Sequence, residues 1–282
     1  MLRRKAYQRL LDWKKEDDRK ALCIFGARQI GKTTLIRQFG AENYKNFVEI
    51  NFVSDSGAAK IFDSALDADT IITNLTAYLR KPMEPGKTLV FFDEVQECPN
   101  VRTAIKFLVE DGRFDYVESG SLLGTRYREI KSYPVGYEEI YRMYPMDFEE
   151  FLWANGVQDA TIRYLQTCFD DKKQVLPAVH DTLKRLFYSY IVVGGMPDVV
   201  QTYVDTHDIG KVVVLQTSLL EQYRQDISQY AVGSDKMKIK TIFDAIPSQL
   251  NDKNRRFYVN KLAPSARLTR YENSFRWLDD AG

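Results

Sequence analysis

Residues 21–33 read Ala21-Leu22-Cys23-Ile24-Phe25-Gly26-Ala27-Arg28-Gln29-Ile30-Gly31-Lys32-Thr33. The first five form an uninterrupted apolar run, the pattern of a strand buried on both faces. The next eight satisfy G-x-x-x-x-G-K-[ST], the phosphate-binding loop. Its glycines let the backbone wrap closely around phosphate oxygens. Loop amides and the N-terminus of the next helix aim their N–H groups at the anion. Lys32 is expected to reach the outer phosphates, and the Thr33 hydroxyl to sit on Mg²⁺. With Gly at about 7% of residues, a chain of this length matches by accident roughly one time in a hundred. Context lowers that figure. Thr34-Leu35-Ile36-Arg37-Gln38-Phe39 has apolar residues at helical spacing, and Gly40 is placed to cap that helix. Strand, loop and helix together favour nucleotide binding over a Gly-rich turn that happens to contain Lys-Thr. Contacts are expected from Gly26, Ala27, Arg28, Gln29, Ile30, Gly31, Lys32, Thr33 and Thr34.

The second half of such a site is read at Thr88-Leu89-Val90-Phe91-Phe92-Asp93-Glu94, an apolar strand ending in two carboxylates. In a parallel sheet, ligands sit at the carboxyl ends of strands. Asp93 is therefore expected in the metal shell beside the loop, and Glu94 as the base that orients and deprotonates a water. The alternative, a solvated strand end, loses weight about 60 residues after a good phosphate loop. The pair also separates enzyme classes. A nucleotide kinase has no need of a water-activating Glu. A Ras-type GTPase needs an Asn/Thr-Lys-x-Asp guanine reader, and Asn251-Asp252-Lys253-Asn254 has the wrong order. ATP is thus favoured over GTP. A third strand, Phe114 to Glu118, ends in Ser119-Gly120-Ser121. Ser119 is a candidate to contact the γ-phosphate or the attacking water. A helix N-cap at Ser119 or Ser121 is the competing reading.

The 282 residues suffice for a large core and two or three domains. A net charge of +1 gives no global basic field. Cys23, Cys98 and Cys168 are far apart without a C-x-x-C, a reduced, cytoplasmic pattern without disulfide or zinc site. His180 and His207 form no ligand cluster. No apolar stretch approaches a membrane span of about 18 residues. The basic N-terminus lacks the apolar region of a signal peptide. Leu2, Tyr7, Leu10, Leu11 and Trp13 instead predict one amphipathic helix packed on the core.

Three units are expected: a nucleotide core over 1–156, a helical lid over 157–233, and a C-terminal unit over 234–282. Strands are predicted at 21–25, 47–53, 88–92, 114–118 and 139–144, with helices near 32–39, 68–80 and 100–111. This alternation gives an α/β fold, a P-loop NTPase with a parallel sheet and flanking helices. Gly124 to Tyr137 reads as a long surface loop whose Arg126, Arg128 and Lys131 lie near the nucleotide. Asp147 with Glu150 predicts a capping box. From 156 to 229 the pattern is helical, broken at Gly194-Gly195-Met196-Pro197, where Pro197 opens a new helix. Residues 235–282 hold ten Lys/Arg against six Asp/Glu, a net +4. Helices at 237–246 and 268–281, with a short strand or helix start at 256–261, make a partial winged-helix-like unit. Such a unit meets either DNA or protein. The chain stops where wing strands would follow, and Gly282 reads as a C-cap, so a fragment of a longer protein is expected.

These residues together resemble a family of bacterial and archaeal AAA-type P-loop ATPases. Its full-length members carry a C-terminal restriction-endonuclease-like domain of unknown function, which is expected to be absent here. The matching pieces are 26–34, Phe-Phe-Asp-Glu-Val-Gln at 91–96, Glu-Ser-Gly-Ser at 118–121, Tyr-Pro-Met-Asp-Phe-Glu-Glu-Phe-Leu at 144–152, Gly-Gly-Met-Pro at 194–197 and Tyr-Arg-Gln-Asp-Ile at 223–227. The resemblance implies an ATP-binding core, a helical lid and a winged-helix-like unit, with Pro197 packed on the adenine. Many members carry Gly-Arg before the strand leading to Pro-x-x-Phe. Here that pair is Gly136-Tyr137, so the resemblance supplies no trans-acting arginine from that position. The function expected is a cytoplasmic Mg²⁺-dependent ATPase used as a switch. Lys32, Glu94 and Ser119 are its catalytic candidates, Thr33 and Asp93 its metal ligands, and a homo-oligomer its assembly. The alternative is a nucleotide-gated module that binds DNA or protein and hydrolyses little.

Overall fold

The apolar run at 21–25 forms β1 (Ala21–Phe25), buried at every position. It lies inside a five-stranded sheet of order β2-β3-β4-β1-β5, with β2 at Asn46–Asn51, β3 at Thr88–Asp93, β4 at Asp115–Gly120 and β5 at Glu138–Arg142. Every pairing is parallel. The computed structural model describes residues 1–63, 66–120, 134–231, 233, 235–253, 256–263 and 266–281. Ser121, Arg126, Arg128, Lys131 and Gly282 lie outside the described residues.

Strand pleating sends alternate side chains to opposite faces. Leu22, Ile24, Leu89, Phe91 and Val117 pack with Leu10, Trp13, Ile36 and Phe39 of α1 (Lys5–Lys14) and α2 (Lys32–Asn43). Cys23, Phe25, Val90, Phe92 and Tyr116 pack with Ile71, Leu75, Val101 and Ile105 of α3 (Ala68–Leu79) and α4 (Pro99–Asp111). The fold is therefore a parallel sheet covered by helices on both faces, followed among the described residues by helices and turns.

One local expectation fails. Gly40 does not cap α2, which continues to Asn43. A Cβ at Gly40 would stand 2.3 Å from the Phe47 ring. The glycine is there for close approach of helix to sheet, not to end the helix.

The Asp147–Glu150 capping box forms at the start of α5 (Phe148–Ala154). Three further helices follow it, α6 (Asp159–Asp170), α7 (Pro177–Val193) and α8 (Pro197–Thr206), and then the long α9 (Ile209–Tyr230). Gly194, at φ +74°, ends α7, and Pro197 opens α8, as the spacing predicts. Met146, Phe151, Val193, Val199, Val200 and Val212 join these helices into a separate apolar cluster. α10 (Asp235–Leu250) packs with α11 (Leu268–Ala281) and the end of α9 through Ile227, Ile239, Phe243 and Trp277. The stretch 256–261 holds a 3₁₀ turn at Val259–Lys261 rather than a strand. Among the described residues after Tyr230 there is no strand, so the wing of a winged unit is not among them. Among the described residues no helix is long and apolar enough to cross a membrane.

Candidate nucleotide site

The register levels the strand ends: Phe25 pairs with Gly120, Asp93 with Ser119, and Asn51 with Asp93. The loop after β1, the carboxylates after β3 and the ends of β4 and β2 therefore share one edge of the sheet.

Gly26 (φ +156°) leaves β1, Gln29 (φ +64°) and Gly31 (φ +90°) turn the chain, and α2 starts at Lys32. A Cβ at Gly26 would lie 2.2 Å from the Met143 carbonyl oxygen, so only glycine fits this exit. The Lys32 ammonium folds back to donate to the carbonyls of Gly26 at 2.9 Å and Ala27 at 2.7 Å. Burial of this ammonium lowers its pKa to about 8, outweighing the nearby Glu94 and Asp93 carboxylates.

Asp93 is buried and collects donors. Thr33 Oγ1 donates to its Oδ2 at 3.0 Å, and Asn51 Nδ2 to the same oxygen at 2.9 Å. The Glu94 amide donates to its Oδ1 at 3.1 Å, and the Ser119 hydroxyl donates there too. Ser119 thus lies inside β4, fully buried, against Asp93 rather than at a helix N-cap. Glu94 has left-handed backbone angles (φ 58°, ψ 46°), and its carboxylate accepts from Gln96 Nε2. Asn51 and Gln96 were not legible as site residues. Asn51 is polar at a strand end, and only the strand order makes that end adjacent to Asp93.

An open cleft of about 740 Å³ lies over the loop. Arg28, Gln29, Gly31, Lys32, Thr33, Thr34 and Glu94 line the cleft, together with Leu2, Arg4 and Pro197. Pro197 is therefore brought to the loop, its Cγ 3.7 Å from where a Gly31 Cβ would be. Gly26, Ala27 and Ile30 do not line the cleft: Gly26 backs onto Met143, Ile30 is buried, and Ala27 faces a second cavity of about 220 Å³. Arg4 is a further residue the sequence did not single out. It donates to Ile30 O at 2.7 Å, Tyr144 O at 2.7 Å and Glu150 Oε1 at 3.1 Å, both side chains being buried.

The donor set suits a hard divalent cation. A hydroxyl and a carboxylate stand 3.0 Å apart at the loop, and the carboxylate is oriented by three further donors.

An outside comparison agrees with this architecture. Residues 18–152 match the family model described as AAA domain, and residues 184–282 match a domain of unknown function. Residues 18–152 are thus similar to an AAA domain, in keeping with their phosphate loop and parallel sheet, and a helical region follows. The matches give no support to a restriction-endonuclease-like C-terminal domain. No curated protein matches the chain. Among solved structures, AMPPCP-bound DnaA from Aquifex aeolicus is similar at 13% identity and TM-score 0.43, over 98% of this chain and 88% of that one. Orc1 of Aeropyrum pernix in complex with DNA gives 12% and 0.36, over 99% and 83%. PCH-2 of C. elegans gives 12% and 0.40, over 73% and 63%. Similarity at this level carries no argument about activity.

Proposed function

We propose that the chain is a Mg²⁺-dependent ATPase that works as a nucleotide-driven switch. The observation that carries this reading is the meeting of Lys32, Thr33 and Glu94 at one cleft, with Asp93 hydrogen-bonded to Thr33 at 3.0 Å. Lys32 and the amides of the loop residues that line the cleft, Arg28, Gln29 and 31–34, bind the phosphates and stabilise charge on the transferring phosphoryl group. Thr33 and Asp93 would hold Mg²⁺, which supplies charge neutralisation to the phosphates when bound. Glu94 accepts the proton of the attacking water, and Ser119 fixes the Asp93 carboxylate. Pro197 packs against the base.

A second reading has its own support. The Glu94 carboxylate accepts from Gln96 Nε2, which occupies one of its two oxygens. A nucleotide-gated module with little hydrolysis would keep that contact, and would present 234–282 to DNA or to a protein, in a monomer or a homo-oligomer.

ATP turnover by the wild type, Lys32→Ala and Glu94→Gln, with bound nucleotide quantified, separates the two. The switch ATPase requires that Glu94→Gln bind ATP but lose roughly 10²–10⁴-fold in turnover, and that Lys32→Ala lose binding. Normal turnover by Glu94→Gln would sink the assigned base. Binding without turnover in the wild type favours the module.

A further inference from the structure

Helix α9 reaches back over the phosphate loop. The Arg28 guanidinium pairs with Asp226 Oδ1 at 2.6 Å, donates to the Tyr230 hydroxyl at 2.8 Å, and lies 5.0 Å from the Tyr230 ring centroid. Tyr223 donates its hydroxyl to the Arg28 carbonyl at 2.8 Å, and Gln29 donates to Gln222. Two positions of the loop are thus held by one face of α9. Tyr223 and Asp226 belong to the Tyr-Arg-Gln-Asp-Ile motif, for which nucleotide binding gives no reason. Asp226 is only 14% exposed, and burial raises its pKa against the pull of Arg28. Arg28 also lines the cleft with Lys32 and Glu94. One guanidinium therefore stands between the phosphate site and an acid on α9.

The same helix carries the C-terminal pair. Arg224 pairs with Asp244 of α10 at 2.9 Å, and Ile227 and Ala231 pack with Ile239 and Trp277.

We infer that Asp226, with Tyr230, competes with the phosphates of a bound nucleoside triphosphate for Arg28, so that nucleotide binding loosens α9 and the α10–α11 pair it holds. The inference rests on the ATP reading above. Phosphate oxygens attract the guanidinium and repel the carboxylate, and both effects gain strength in a partly dry site. Such coupling is reciprocal: what releases Arg28 from α9 must tighten nucleotide binding. Asp226 is here a positioning residue that acts through Arg28.

The test is the affinity of a non-hydrolysable ATP analogue for wild type, Asp226→Asn and Tyr230→Phe, with amide hydrogen exchange over 222–231 read in the wild type. Asp226→Asn should bind about fivefold tighter or more. Tyr230→Phe, which keeps the ring and serves if the first variant does not fold, should shift the same way by less. Nucleotide should speed exchange over 222–231. If the wild type binds and the variants bind equally or more weakly, or if nucleotide leaves exchange unchanged, the competition is wrong and the ATP reading survives. If wild type and both variants fail to bind, both readings fall. Binding by the variants alone would establish the competition in its strongest form.

Discussion

The Lys32 ammonium is buried against the Gly26 and Ala27 carbonyls, and its proton is held weakly. Its pKa is lowered to about 8 by burial, from an ordinary value of 10.5. A depressed lysine costs stability while it is charged in the folded state. That cost is fully present below pH 8 and is relieved as pH rises from 8 towards 10.5. Phosphate oxygens reverse the balance by favouring the charged form. ATP binding should therefore take up a proton above pH 8, and affinity should fall there by up to about tenfold per pH unit. Calorimetry in buffers of different ionisation enthalpy measures the uptake directly; binding that releases no buffer proton between pH 8 and 9 would count against the role of Lys32. At this scale the sequence was informative because phosphate chemistry constrains the loop position by position. Lys32, Thr33, Asp93 and Glu94 could each be named from spacing alone, and the structure brings them to one edge of the sheet. Asn51, Gln96 and Arg4 could not, because each becomes a neighbour of the site only through strand order or a long-range contact.

At the scale of the element, α2 shows where local rules stop. Glycine after an amphipathic run usually ends a helix, and the sequence offered Gly40 for that purpose. The helix instead runs three residues past it, because the Phe47 ring occupies the space a side chain would need. Gly→Ala inside a helix ordinarily gains about 1 kcal/mol. Here a Cβ would meet the ring at 2.3 Å, and overpacking of this kind costs about 1–3 kcal/mol. Gly40→Ala should therefore lower the urea midpoint, and a stabilised variant would show that Phe47 moves aside freely. The break at 194–197 was legible for the opposite reason: Gly194 and Pro197 act through their own backbone, without a distant partner. The sequence leaves 256–261 open between a strand and a helix start because six residues carry too little periodicity to decide, and the segment holds a 3₁₀ turn at 259–261.

Across the whole molecule, Arg4 joins parts that are far apart in the chain. One guanidinium binds the phosphate loop at Ile30, the segment after β5 at Tyr144, and the α5 capping residue Glu150. Arg4→Ala would leave Glu150 buried and lacking its countercharge, a loss of about 3 kcal/mol or more. Equilibrium unfolding in urea should register it, together with weaker nucleotide binding; a change under about 1 kcal/mol would mean that the backbone amides of Lys5 and Asp147, which donate to Glu150 at 2.6 and 3.0 Å, satisfy it without help. The strand order carries one more consequence. β1 leaves the ribosome early, yet both strands that border it, Asp115–Gly120 and Glu138–Arg142, come much later. Met143, whose carbonyl walls in Gly26, comes later still. A nascent chain that has already exposed its phosphate loop therefore has no sheet to hold it. β1 must wait for Asp115–Gly120 before it can pair on one side, and for the segment after β5 before its other side and Gly26 are covered. Pausing before that point would leave Ala21–Phe25 as a free edge open to other chains.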